Sequence, residues 1–324
     1  MQVVTTPEQF VQIKPDCVLT IGNFDGVHTG HQRILKRAKE MARKRGTSAA
    51  LMTFDPHPVA VLYPERAPKV LTPLSLKLNL LESYADNCII VLKDNRDLLN
   101  LSARQFVDEF LMKTIRPCVL VEGDDFHFGA GRTGNIEILR EFGSEKGFDV
   151  EVVAPHVMTF ETGQILRVSS TVIRYMLESG HVHDAALALG RPFRLYGPVV
   201  SGRGKGREIG YPTINMQKTN QIIPAEGVYA GTIEIADDPQ GLFNQTRSLP
   251  AAISIGQART FGEEYPLLIE AHLLIKEVPE VAEKWVAMDF VRRMRSQHKF
   301  ASIEELTKQI ERDCIKAKEI LGIA

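Results

Sequence analysis

Ile21-Gly22-Asn23-Phe24-Asp25-Gly26-Val27-His28-Thr29-Gly30-His31 stands between two segments of different period. Before it, Cys17-Val18-Leu19-Thr20-Ile21 is a short apolar, partly β-branched run, the pattern of a buried strand. After it, Ile34, Leu35, Ala38, Met41 and Ala42 recur at helical spacing, and Gly46 stands where such a helix would stop. The stretch therefore reads as a strand-to-helix turn at the carboxyl end of a strand, where open α/β sheets bind ligands. Gly22 and Gly26 allow backbone to approach a ligand closely. His28 and His31, three residues apart, share one face of the first helical turn. A helix start carries free N–H groups and partial positive charge, and so attracts phosphate. Two imidazoles added there point to a triphosphate rather than a carboxylate. A plainer reading has both histidines capping and packing the helix. The pair, the two glycines and the strand before them favour a nucleotide site.

Composition narrows the field. At 324 residues the chain is long enough for two domains, each with its own core. Charged residues make up 24% and the formal net charge is −1, so no global field favours nucleic acid. The basic clusters Lys36–Arg45 and Arg203–Arg207 are local, and the first reads as a solvated helix face. Cys17, Cys88, Cys118 and Cys314 lack C-x-x-C spacing and read as reduced thiols, three of them in apolar runs. No Cys/His metal cage is visible. The N-terminus has no basic region leading into an apolar stretch, and no apolar run approaches membrane-spanning length. A cytoplasmic protein is expected, with small-molecule substrates and no nucleic-acid, membrane or obligate protein partner.

From about residue 15 to 155, apolar runs alternate with helical patterns: Val18–Ile21, Ala49–Phe54, Cys88–Leu92, Cys118–Val121 and Val150–Ala154. Thr72-Pro73 opens one intervening helix, with Pro at its first position and Leu76, Leu80 and Leu81 below it. Ser102 and Gln105 form a capping box that opens another, which carries Phe106, Phe110 and Leu111. Such alternation predicts a parallel, doubly wound sheet. A helical stretch from Ser170 to Leu189, broken at Ser179-Gly180, ends at Gly190 and Pro192. The texture then becomes β-rich and turn-punctuated, with runs at Phe193–Val200, Val228–Ile235, Ala251–Ile255 and Leu267–Ile275. Helical period returns at the end, where a second capping box, Ser302 to Glu305, precedes a stripe of Ile303, Leu306, Ile310, Ala317 and Leu321. The fold class expected is an α/β domain over 1–186, with a Rossmann-like parallel sheet. A small β-barrel with a terminal helix follows over 187–324.

Further stretches carry chemistry. Thr53-Phe54-Asp55-Pro56-His57-Pro58 follows the second strand, and the prolines fix the backbone around His57. The alternative is a rigid turn with an incidental histidine. Gly123 to Gly134 contains G-x-G-x-x-G, but five residues intervene between Gly123 and Gly129, so no dinucleotide fingerprint is assigned. Val168-Ser169-Ser170-Thr171-Val172-Ile173-Arg174 opens a helix with hydroxyls, which are ordinary caps but, with Arg174 one turn in, also make a phosphate clamp. Gly202-Arg203-Gly204-Lys205-Gly206-Arg207-Glu208-Ile209-Gly210-Tyr211-Pro212-Thr213-Ile214-Asn215 is too Gly-rich for a core element and is not a Walker A loop. Its basic backbone beside the oxygens of Thr213 and Asn215 suits a nucleotide with Mg²⁺, the alternative being a plain surface loop. In Leu268-Ile269-Glu270-Ala271-His272-Leu273, alternation sets Glu270 and His272 on the face opposite Ile269, Ala271 and Leu273.

These strings resemble, in order, the motifs of prokaryotic bifunctional riboflavin kinase/FMN adenylyltransferases, over nearly the whole chain. Gly22 to His31 resembles G-x-F-D-G-x-H-x-G-H, residues 54–58 the F-x-P-H-P motif, and residues 123–134 the G-x-[ND]-F-x-F-G loop, with Asp125 where many relatives carry Asn. Residues 169–174 resemble S-S-T-x-I-R, residues 210–215 the G-x-P-T-x-N motif of riboflavin kinases, and Glu270 to His272 the kinase E-x-H strand. Pro224, Gly227, Val228 and Tyr229 match P-x-x-G-V-Y. The resemblance implies phosphorylation of riboflavin by ATP to FMN, then adenylylation of FMN to FAD with release of pyrophosphate. It implies that Gly22, Asn23, Phe24, Asp25, His28, His31, His57, Asp125, Ser169, Ser170, Thr171 and Arg174 serve the adenylylation site. Gly202, Lys205, Gly206, Gly210 and Pro212 would hold the kinase nucleotide, Thr213 and Asn215 its Mg²⁺, and Glu270 would be the base. Two departures stand out: Arg259 replaces the Pro of G-x-x-P-T-F, and the usual Tyr-Gly after the E-x-H strand is missing near Val278–Lys284. Two rival functions are a nucleotidylyltransferase for another acceptor and a flavin- or nucleotide-binding regulator with decayed sites.

Overall fold

The computed structural model describes the chain except residues 1, 7, 8, 10–12, 87, 94, 95, 203, 244–247, 258–266, 278 and 324 and the side chain of Lys205. Arg203, Arg259 and Val278 therefore lie outside the described residues. The chain divides into two compact units. One comprises Met1–Pro68, Thr72–Thr159 and Ile165–Ser169; the other comprises Lys69–Leu71, Phe160–Gln164 and Ser170–Ala324.

The first unit is built on β1 (Gln2–Val4), β2 (Val18–Ile21), β3 (Ala49–Phe54), β4 (Cys88–Leu92), β5 (Val119–Gly123) and β6 (Asp149–Val153). They form one parallel sheet in the order β1-β4-β3-β2-β5-β6, so the winding reverses between β2 and β5. A short antiparallel hairpin, β7 (Val157–Thr159) and β8 (Ile165–Arg167), follows. The helices are α1 (Thr29–Arg45), α2 (Pro58–Leu62), α3 (Leu74–Glu82), α4 (Arg96–Asn100), α5 (Ala103–Gln105) and α6 (Ile136–Lys146). Successive strand residues point to opposite faces. Leu19, Ile21, Met52, Ile90 and Leu120 therefore join Phe106, Leu111 and Leu139 in one core. Val18, Val119 and Val121 meet Ala38 and Ala42 of α1, and Leu51 and Ile89 meet Leu35 and Leu81. Both faces of the sheet are covered, as apolar runs without polar alternation require.

Local signals mostly act as expected. Gly46 ends α1 in the left-handed region at φ 66°, and Ser102 and Gln105 form their reciprocal cap before the chain continues as a π-helix, Phe106–Ile115. One correction concerns Pro73, which is the N-cap of α3 rather than its first helical residue. Its ψ of 158° is extended, and its carbonyl accepts the Lys77 N–H.

The second unit opens with α7 (Ser170–Glu178) and α8 (Val182–Leu189). It continues through β9 (Phe193–Val200), α9 (Lys205–Glu208), β10 (Ile214–Met216), β11 (Gly227–Ala236), β12 (Leu249–Gln257), β13 (Leu267–Leu273), β14 (Trp285–Arg295) and α10 (Ile303–Leu321). The strands close an antiparallel barrel in the order β10-β13-β12-β11-β14-β9. β14 had no sequence signal of its own, because Asp289 and a basic run interrupt its alternation. In the fold that acid is matched: Arg194 on β9 donates to both Asp289 oxygens at 2.9 and 2.6 Å and reaches Glu234 at 2.8 Å. The stripe on α10 is corrected at one end. Ile303 is 63% exposed at the first helical position, whereas Asp313 is buried because it takes the Arg295 guanidinium at 2.7 Å.

Closure brings β11 and β14 very near at Gly231, where a Cβ would stand 2.2 Å from the Asp289 carbonyl oxygen. Gly231→Ala is expected to destabilise the second unit by about 1–3 kcal/mol, the range of overpacking. Trp285, the sole tryptophan, lies on β14 and reports that unit in urea unfolding. An unchanged midpoint would contradict the close approach.

Candidate functional site

The first candidate site grows from the reversal of winding. β2 and β5 pair only at Val18 with Val119 and Leu19 with Leu120. Beyond that, the Ile21 N–H donates to the side chain of Glu122 at 2.8 Å. Glu122 is 2% exposed, and burial pushes its carboxyl well above the usual carboxylate range, opposed by the Ile21 bond.

The loop that follows is strained. Phe24 and Val27, both buried, hold φ of 48° and 40°, values that cost non-glycine residues about 1–3 kcal/mol each. Gly26, at φ 88°, supplies the turn between them. The spacing of the other two glycines has a steric reason. A Cβ at residue 22 would meet the Phe24 ring at 2.9 Å, and one at residue 30 would meet the His28 ring at 3.1 Å and the Val168 carbonyl at 3.5 Å. The rings can therefore close over the backbone, and the chain just before Ser169 comes alongside.

His28 is the N-cap of α1: its Nδ1 accepts the His31 N–H at 3.2 Å, which leaves the neutral ring's proton on Nε2. The two imidazoles stack at 3.6 Å and 17°, and Phe24 meets His31 edge-on at 5.3 Å. Burial, then His28 and then Lys77 hold His31 well below the usual imidazole range. His31 Nδ1 and Asn23 Oδ1 are buried atoms with no partner among the described residues.

The backbone of this loop is tied down from outside it. The Thr53 hydroxyl donates to the Asn23 carbonyl at 3.0 Å, and Lys77 Nζ donates to the carbonyls of Asn23 and Phe54 at 3.0 and 3.1 Å. Asp25 Oδ1 accepts the Thr72 N–H at 2.9 Å and its hydroxyl at 3.1 Å, while Thr72 Oγ1 accepts the Gly26 N–H at 2.9 Å. Thr53, Thr72, Lys77 and Glu122 went unassigned in the sequence. Two left a trace: a lysine between Leu76 and Leu78, and a glutamate closing an apolar strand.

Other expected residues fall elsewhere. His57 caps α2, its Nδ1 accepting the Val59 N–H at 3.0 Å. Asp125 is largely exposed and pairs with Arg167 at 3.0 Å. Ser169 ends the first unit, whereas Ser170, Thr171 and Arg174 lie on α7 of the second, where Arg174 Nε donates to the Lys69 carbonyl at 2.7 Å.

The second candidate site lies on the barrel wall. β10 and β13 pair with Asn215 directly opposite Glu270, so their side chains share one face as neighbours. A Cβ at Gly202 would stand 2.3 Å from Asn215 Nδ2, so the Gly-rich segment lies against that amide. Lys205 and Gly206 fall in α9, with Gly210 and Pro212 following and Thr213 exposed at the entry to β10. His272, two residues beyond Glu270, donates from Nδ1 to the Pro212 carbonyl at 2.9 Å and meets Tyr211 edge-on at 5.3 Å. The E-x-H strand thus holds the P-T-x-N segment through its histidine, a role the sequence reading left unassigned. No three His, Cys, Asp or Glu side chains gather as a metal cage among the described residues. A cation here would need neutral oxygens and phosphate, and Thr213 and Asn215 provide oxygens of that kind.

Comparison with known proteins gives two family models, one over each part of the chain. The family model for FAD synthetase matches residues 11–172, and that for riboflavin kinase matches residues 189–321. A bifunctional riboflavin kinase/FMN adenylyltransferase of Escherichia coli K12 is 36% identical, covering 95% of this chain and 93% of the relative. The Bacillus subtilis protein of the same name is 34% identical, covering 96% and 94%. A solved structure named as a macrolide-efflux protein from Streptococcus pneumoniae matches with a TM-score of 0.83 and 26% identity, over 98% of this chain and 99% of that one. Among the described residues of this chain, no helix is long and apolar enough to cross a membrane.

The buried Glu122 gives a pH signature. Its carboxyl keeps its proton in the fold but loses it on unfolding once the pH exceeds the ordinary carboxylate value. The folded state then binds more protons, and stability falls as pH rises through that window. Glu122→Gln removes this dependence. Urea midpoints of variant and parent are expected to diverge in the variant's favour as pH rises from about 4 towards 7. A difference that stays constant over that range would contradict a buried neutral acid.

Proposed function

The chain belongs to the bifunctional riboflavin kinase/FMN adenylyltransferases, and from that premise we propose how its own residues carry the two reactions. It phosphorylates riboflavin with ATP to FMN and transfers AMP from a second ATP to FMN, giving FAD and pyrophosphate. The observation that carries the assignment of residues is that each compact unit contains its own built site: the His28–His31 stack in one, and the Asn215–Glu270 pair in the other. We assign adenylylation to 1–186 and the kinase to 187–324. ATP as co-substrate suits a cytoplasmic protein.

In adenylylation an FMN phosphate oxygen attacks the α-phosphorus of ATP and pyrophosphate leaves, with no covalent enzyme intermediate. What the protein supplies is position and charge. His28 presents Nε2–H, and His31, neutral in its desolvated setting, gains a partner for Nδ1 when an anion arrives. The loop of Gly22, Asn23, Phe24 and Asp25 gives these rings their place. Ser169, Ser170, Thr171 and Arg174 are assigned phosphate contacts, and His57 and Asp125 nucleotide contacts, on their match to the family motifs. In the kinase, Gly202, Lys205, Gly206, Gly210 and Pro212 shape the nucleotide loop. Thr213 and Asn215 would hold Mg²⁺, which supplies charge neutralisation on the transferred phosphoryl group. Glu270, beside Asn215, takes the proton from the riboflavin 5′-hydroxyl.

Crossed variants test the division. His28→Ala is expected to slow conversion of FMN to FAD by about 10²–10³ and to spare FMN formation. Glu270→Gln is expected to slow FMN formation by about 10²–10⁴ and to spare adenylylation of supplied FMN. Equal loss of both activities in either folded variant would contradict two separate sites.

A further inference from the structure

We propose that Thr72 and Lys77 are positioning residues for adenylylation, forming a clamp that holds the strained Asn23–Val27 backbone in its ATP-receiving shape. The proposal rests on the reading of the His28–His31 loop as the ATP site. The two residues bracket the start of α3, a helix that carries none of the assigned site residues. Thr72 satisfies the Asp25 carboxylate through its N–H and hydroxyl and takes up the Gly26 N–H. Lys77 ties the Asn23 carbonyl, in one signature loop, to the Phe54 carbonyl, in the other.

Two features set this apart from ordinary packing. Lys77 is 5% exposed and forms no ion pair within 4.0 Å among the described residues; its direct partners are carbonyls and, at 3.5 Å, the Thr53 hydroxyl, with the Asp25 and Asp55 carboxylates attracting it from farther off. A buried ammonium held in this way is costly, and an apolar side chain would fill a helix face among leucines at less cost. What the ammonium does that a leucine cannot is cross-link two loop carbonyls. The second feature is that the clamped residues include neighbours of both non-glycine positive-φ positions of the loop, Phe24 and Val27. Such conformations persist only where the surroundings over-determine them. Releasing the clamp lets Asn23 and the histidine pair drift from the phosphates, and a shift of about 1 Å can cost about a hundredfold in rate.

The test compares Thr72→Val, Thr72→Ser, Lys77→Met and His28→Ala in the full chain, at a temperature where circular dichroism shows each folded. Thr72→Val and Lys77→Met are expected to lower adenylylation kcat/KM for ATP by about 10- to 100-fold. KM for FMN is expected to stay within about threefold, and FMN formation from riboflavin to be unchanged. Thr72→Ser, which keeps the hydroxyl, restores activity. A purely structural role would lower the unfolding midpoint yet leave the kinetics of the folded protein intact, and that result overturns the proposal. Should Lys77→Met not fold, the Thr72→Val and Thr72→Ser pair decides alone. Loss in His28→Ala with parental kinetics in the clamp variants rejects the clamp and keeps the site. Parental adenylylation in all of them rejects both.

Discussion

Where β2 parts from β5, the ladder on that side of β2 ends and side chains take over, beginning with the buried Glu122 carboxyl on the Ile21 N–H. Everything that follows in the first unit answers this constraint. A backbone released from its ladder must find other partners, because buried N–H and C=O groups left unpaired are costly. Thr53 and Lys77 provide them for the Asn23 carbonyl and Thr72 for the Gly26 N–H, and the loop can then hold conformations that a free chain would abandon. His31 Nδ1 and Asn23 Oδ1 remain buried and unmatched among the described residues. Of these two, an imidazole nitrogen that carries its proton can donate to a phosphate, as our proposal requires, whereas the Asn23 amide oxygen accepts and calls for a donor.

The barrel solves the same problem differently. The pair we assign to the kinase stands on neighbouring strands in direct register, so the ladder itself sets the separation of Asn215 and Glu270. The Gly-rich segment is brought in by contact with Asn215 and by the His272 bond to Pro212. One site depends on side chains that replace a missing ladder, the other on the ladder. Substitutions at helix starts should therefore matter most in the first unit, and shifts of register in the second.

The parallel sheet, the reversal loop and the barrel were legible because each rests on local pattern: apolar runs, capping residues and glycine spacing. The helix after Ser102 and the stop at Gly46 need only a few neighbouring residues. What escaped depends on partners far along the chain. β14 has a poor pattern of its own, because Asp289 is made acceptable only by Arg194, 95 residues away. Lys77 resembles a stray charge on an apolar helix until Asn23 and Phe54 arrive beside it. Ile303 fits a stripe by period, but at the first helical position of α10 it is exposed. The histidines were visible by type and spacing; their stacking, and the proton left on His28 Nε2, required the coordinates.

The most direct measurement of the whole account follows phosphorus through both reactions. Purified protein is given riboflavin, Mg²⁺ and ATP labelled with radioactive phosphorus at either the γ or the α position, and the flavins are separated by chromatography. The account predicts γ label in FMN and, carried through, in FAD, with α label in FAD alone. Absence of γ label from FMN would contradict the kinase in the barrel, and absence of α label from FAD would contradict adenylylation at the strand-end loop.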